Sequence, residues 1–128
     1  YGSLVPNFLV PGMLEAMQKT NGLIFLVLPL MTKCTDTYEM PAKEYLGILE
    51  RYLGRPVDVI VGNNARPPPE VLEYYRAQFS KPMEIQSLCH DPRLVAKNLL
   101  AVEEVTNRAR HRSANLAALI WLYPEIRR

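Results

Sequence analysis

A chain of 128 residues is the size of one domain or a large piece of one, and its 48% apolar content supports a core and excludes disorder. The net charge of +2 is too mild to argue for a nucleic-acid partner. The longest apolar run, Gly22–Met31, is about half the length of a membrane span and is interrupted by Pro29.

The chain opens "YGSLVPN", with no methionine and no leading element, and reads as the continuation of an upstream part. Apolar residues at Phe8, Leu9, Met13, Leu14 and Met17 predict a helix over residues 7–19, stopped at Asn21-Gly22. "LIFLVLPLM" is apolar on both faces and short, as a strand between two helix layers would be. A polar loop, "TKCTDTYEM", follows it. Pro41–Gly54 is an amphipathic helix with a stripe of Tyr45, Leu46, Ile48, Leu49 and Leu53. "PVDVIVG" is a second strand, "NNARPPP" its loop, and "EVLEYYRAQF" a third helix. "KPMEIQSL" is read as a third strand. "DPRLVAKNLLAVEEV" is read as a fourth helix, with Asp91 as N-cap and Pro92 at its first position. Helical character then continues to Pro124, with a break near Arg110–Ser113. This alternation predicts an α/β fold: a three-layer, Rossmann-like parallel sheet with helices on both faces.

In an open parallel sheet, ligands bind beyond the carboxyl ends of the strands. The loops Met31–Thr37 and Gly62–Pro69 occupy that rim, and both are more polar than a turn requires. Thr32, Thr35, Asp36 and Thr37 supply hydroxyls and a carboxylate, and Asn63 and Asn64 supply amides that can read a base edge or a sugar. The prolines that follow would make a rigid mount for the asparagines. No glycine-rich dinucleotide or Walker motif is present, and no convincing nucleophile–histidine order, so catalytic residues stay unassigned. His90 reads as a cap or surface residue, "RARHR" at Arg108–Arg112 as a solvated helix face, and two isolated histidines make no metal site. Cys34 and Cys89 lack C-x-x-C or zinc spacing, and with no signal peptide they are read as reduced thiols of a cytoplasmic protein.

Four stretches in order resemble the gluconeogenesis-factor family, also called the UPF0052 family, whose superfamily includes 2-phospho-L-lactate transferase. "GSL…VPNFLVPGM" resembles "GPGSLYTSxxPNLLVPGI", and "LMTKCTDTYEMPAKEYL" resembles "VMTQPGETxxYTAxDHV". "VGNNARPPPEVLEYYRAQFSKPM" resembles "VNNAPPPEEVLxRYAxEGAEPV", and "HDPRLVAKNLL" resembles the closing "RHDPxKLAxALL". The resemblance covers residues 2–100. It implies the C-terminal part of a CofD-like, Rossmann-like domain over 1–106, followed by a helical extension over 107–128. It also implies a nucleotide or nucleotide-sugar ligand: a UDP-sugar in the gluconeogenesis-factor branch, a guanosine nucleotide in the transferase branch. The implied ligand-binding residues are Gly2, Ser3, Asn7, Thr32, Thr37, Asn63, Asn64 and Tyr75. Gly2 and Ser3 lie where a phosphate would be held, and Tyr75 matches a UDP-sugar contact. Enzyme activity is left open. A transferase would bring Mg²⁺ as cofactor, with Asp36 as the available carboxylate. The chain departs from the pattern between Leu4 and Val5, where four residues are missing, and between Met83 and His90, where the family has more chain. The expected partners are the nucleotide ligand and a second copy paired through Trp121, Leu122 and Tyr123 on the terminal helix, with no membrane span and no nucleic acid.

Overall fold

The computed structural model describes residues 2–126, the side chains of 124–126 excepted; Tyr1 and the last two residues of the expected extension lie outside it. Three strands, β1 (Phe25–Val27), β2 (Val59–Asn63) and β3 (Leu94–Lys97), form a parallel sheet in the order β1-β2-β3. Phe25 pairs with Val59, and Ile60 with Leu94. The alternation of the strands sends side chains to two cores. Leu26 and Ile60 face one core, together with Tyr45, Leu46, Leu49 and Leu53 of α3 (Ala42–Leu53). The short helices α1 (Val5–Phe8) and α2 (Met13–Lys19) lie against the same core. Val59 and Val61 face the other, with Leu119 and Tyr123 of α5 (Ser113–Ile126). Phe25 meets Tyr123 edge to face, ring centroids 5.2 Å apart. The expected three-layer α/β fold with helices on both faces of a parallel sheet is therefore present.

The second helix and strand stand where the sequence placed them. Pro41 caps α3 at its start, and Gly54, at φ 75°, closes it by donating its N–H to Glu50 O at 2.8 Å. α4 (Pro69–Arg76) begins at the third proline of "PPP".

Four expectations are corrected. The single helix over 7–19 is two helices: Pro11 has no N–H to continue the first, and Gly12, at φ 82°, turns the chain into the second. The strand expected over Lys81–Leu88 is not one. Only Met31 and Pro82 bridge, antiparallel, and Met83 N–H donates to Leu30 O, before a single 3-10 turn at Gln86–Leu88. This segment crosses the strand ends instead of joining the sheet, because the edge of β2 is taken by β3.

That third strand lies inside the helix expected over Asp91–Val105. Asp91 does act as a cap, but of a turn: its Oδ1 accepts from Arg93 N–H at 2.9 Å. Leu94–Lys97 then pairs with β2, whose Val59, Ile60 and Val61 are fully buried and require a partner on both edges. Tertiary pairing overrides a helical local pattern here. The chain continues as an antiparallel hairpin, β4 (Leu100–Glu103) and β5 (Arg108–His111), turned by Asn107 at φ 53°. "RARHR" is thus largely strand β5, and the helix of the expected 107–128 extension starts only at Ser113. Trp121 on α5 is 84% exposed, whereas Tyr123 is buried. None of the described helices is long and apolar enough to cross a membrane.

Candidate functional site

Beyond β1 the loop folds on itself. Thr32 is 3% exposed, and its Oγ1 accepts from Lys81 N–H at 3.1 Å. Its own N–H donates to Lys81 O at 2.7 Å, and its carbonyl accepts from the Ser80 hydroxyl. Thr37, also buried, accepts from Lys33 N–H at 2.8 Å and donates its N–H to Lys33 O at 3.1 Å. Both hydroxyls therefore satisfy backbone groups and fix the loop. The amino-terminal turn lies beside it: a Cβ on Gly2 would sit 3.5 Å from Asp36 Oδ2. Ser3 and Asn7 are exposed, and Asn7 Nδ2 donates to Ser3 O at 2.7 Å. Asp36 also faces Tyr45, whose hydroxyl is pushed above its ordinary pKa by burial and then by that carboxylate.

Beyond β2 the two asparagines part. Asn63 Oδ1 accepts from Ala65 N–H at 3.2 Å and from Leu99 N–H at 3.0 Å, while its Nδ2 donates to Ala65 O at 2.8 Å. It ties the loop to itself and to the start of β4. Asn64 is exposed; its N–H donates to Lys97 O at 3.0 Å, and its side chain makes no hydrogen bond among the described residues. Pro67 is buried, which anchors the far end of the loop.

This loop forms one wall of an open cleft of about 630 Å³, with Pro82–Gln86 as the other. Its apolar floor includes Leu30, Leu72 and Ile85, and Asn64, Arg66 and Glu84 add polar groups. Gly62 permits that floor: a Cβ there would meet Ile85 Cγ2 at 3.1 Å and Leu94 Cδ1 at 3.3 Å. A smaller hollow of about 110 Å³ adjoins it across Pro82, Glu84 and Gln86, and is lined also by Thr32, Glu39 and Lys81. The volume of the larger cleft falls within the range of about 300–1,000 Å³ usual for small-molecule sites.

Of the expected site residues, Asn63 and Asn64 line this cleft and Thr32 its neighbour. Gly2 is brought to the Asp36 loop, and Tyr75 faces the hairpin, where its hydroxyl accepts from Ala109 N–H at 3.0 Å. Its neighbour Tyr74 has its hydroxyl lowered in pKa by a hydrogen bond from Arg108. Sequence reasoning passed over Arg66, Lys81 and Glu84. Arg66 stood in the quoted loop, a charged residue with no helical or strand role, and that was the available signal. The other two were assigned to a strand that does not form. Among the described residues, no group of three or more His, Cys, Asp or Glu side chains is placed to hold a metal ion.

Residues 1–105 match the family described as CofD, 2-phospho-L-lactate transferase. The chain is 32% identical over 126 residues to a "Putative gluconeogenesis factor" of Thermotoga maritima, covering 94% of this chain and 40% of that protein. A protein of the same description from Thermoanaerobacterium thermosulfurigenes is 25% identical, with 94% and 38% covered. In structure the chain is similar to a UPF0052 family member of Bacillus halodurans, with a TM-score of 0.82, 19% identity, and 91% of this chain and 38% of that one covered. The chain thus spans about two-fifths of the length of the relatives it matches. With residues 1–105 of its 128 matched to the family and a parallel α/β fold shared with the UPF0052 structure, this chain belongs to the CofD family.

Proposed function

We propose that the chain provides the rim of a nucleotide-sugar site and, in the manner of a gluconeogenesis factor, binds a UDP-sugar to regulate carbon or cell-envelope metabolism. The observation that carries this reading is the cleft beyond β2: an apolar floor able to hold a base or sugar face, with the exposed Asn64 side-chain amide at its edge. The site lies at the strand carboxyl ends, where parallel sheets take ligands. Asn63 and Thr32 hold the walls in shape; Gly2, Ser3, Asn7 and Thr37 belong to the neighbouring loops on the β1 side. Tyr75, turned to the hairpin, supports α4 behind the cleft. Binding alone suffices for regulation, by favouring one conformation over another. Isothermal titration of the full-length protein with UDP-N-acetylglucosamine tests this, with saturable heat in the micromolar range expected; no heat at high micromolar ligand overturns it.

The family description supports a second reading, a transferase taking a nucleotide-activated phosphate donor with Mg²⁺. Asp36, beside Gly2, is the carboxylate on that side. Mg²⁺-dependent release of guanosine nucleotide from such a donor would favour this reading over the first.

A further inference from the structure

Arg66 and Glu84 carry opposite charges and line the same cleft, one from each wall. Neither makes an ion pair or a side-chain hydrogen bond among the described residues. Elsewhere in this molecule opposite charges brought close do pair: Glu39 with Lys81 at 3.4 Å, Glu50 with Arg93 at 2.6 Å, Asp58 with Arg55 at 3.3 Å. The backbones beside Arg66 and Glu84 are each anchored. Arg66 sits between the Asn63–Ala65 hydrogen bonds and the buried Pro67. Glu84 sits between Met83, whose N–H donates to Leu30 O at 3.0 Å, and Ile85, packed on Gly62. Two such charges on fixed mounts facing one apolar floor suit a ligand that carries an anionic group next to a donor-bearing one.

We propose that Arg66 receives the pyrophosphate of the ligand and that Glu84 accepts hydrogen bonds from its uridine part, the ribose hydroxyls or the uracil N–H. This rests on the nucleotide-sugar reading and adds the ligand's polarity: phosphate toward the "NNARPPP" loop, donors toward Pro82–Gln86. A guanidinium fits a phosphate through paired N–H donors, and a carboxylate accepts from a diol or an imide but repels phosphate.

The test is titration of the full-length protein with UDP-N-acetylglucosamine, UDP and uridine, in the wild type, Arg66→Ala and Glu84→Gln. Arg66→Ala is expected to weaken UDP-N-acetylglucosamine and UDP by about tenfold or more, as loss of a charge-assisted contact does, and to leave uridine unchanged. Glu84→Gln is expected to weaken all three. Both side chains are exposed, so an unchanged melting temperature shows that the variants fold. UDP affinity retained in Arg66→Ala, or an equal loss for uridine, overturns the assignment while leaving the nucleotide-sugar reading intact. Absence of binding by the wild type overturns that reading and the assignment with it.

Discussion

The loops after β1 and β2 are both polar and occupy the same rim, yet they use their polarity differently. In the first, Thr32 and Thr37 are buried and their hydroxyls accept from Lys81 and Lys33 backbone N–H groups. In the second, Asn63 does the same for Ala65 and Leu99, while Asn64 and Arg66 are left exposed. Residue type therefore does not separate a scaffold residue from a ligand-facing one. The separation comes from following each donor and acceptor to its partner, since a buried backbone group must have one. Asn63 and Asn64, identical and adjacent, both line the cleft, but only the Asn63 side chain is engaged by backbone groups, those of Ala65 and Leu99, among the described residues.

The contrast is broken most directly at Asn63. Asn63→Ala leaves the N–H of Leu99, a residue 1% exposed, and that of Ala65 without their acceptor. A loss of about 2–3 kcal/mol is expected in urea unfolding, from the cost of unsatisfied buried groups. A loss below about half a kcal/mol would place Asn63 with Asn64 as a ligand-facing side chain. Thr32→Val is the matching change in the first loop. It keeps the shape, retains the Thr32 N–H to Lys81 O bond, and removes one acceptor from Lys81 N–H. About 1–2 kcal/mol is expected, read in the same experiment.

These side-chain fates were out of reach of the sequence, but the scaffold that fixes them was partly legible. Helix α3 and strand β2 are local in origin: an apolar stripe closed by Gly54, and a short apolar run closed by Asn63. Both could be read directly, as could the location of the rim. β3 could not, because "LVAKNLLAVEEV" has apolar residues at spacings that suit a helix, and only the unfilled edge of β2 makes Leu94–Lys97 a strand. With Lys81–Leu88 read as a strand, Glu84 has no place in a cleft wall; only the crossing of this segment over the strand ends puts it there. Reading Leu94–Lys97 as helix likewise hides Leu99 as a partner for Asn63.

A change at the opposite end of the sheet serves as a control for both loops. Asp91 is held below its ordinary pKa of 3.8, first by hydrogen bonds from the Arg93 side chain, at 2.8 and 3.0 Å. A carboxyl lowered on folding stabilises the protein above its ordinary pKa, and that contribution is lost as pH falls through the depressed folded value. The urea midpoint of the wild type should therefore drop on going from pH 7 to pH 3, and Asp91→Asn should narrow that drop without altering the response of the Thr32 and Asn63 variants. An unchanged drop would show that the Asp91–Arg93 pair adds nothing to the acid response.

The smallest effect on stability is expected at Asn64, and it bears most on function. Asn64→Ala removes an exposed amide with no hydrogen-bond partner among the described residues and leaves its N–H on Lys97 O. Surface changes of this kind stay within about 0.5 kcal/mol. The backbone of the loop is held by Asn63 and Pro67, so the cleft should keep its shape. If the amide reads the ligand, titration with UDP-N-acetylglucosamine should weaken several-fold while the melting temperature stays in place. A pair of variants would then divide one dipeptide, with Asn63→Ala changing the melting curve and Asn64→Ala the binding isotherm. Unaltered binding in Asn64→Ala would show that openness at the rim is not enough to mark a ligand contact, and would leave recognition to the charged residues on the two walls.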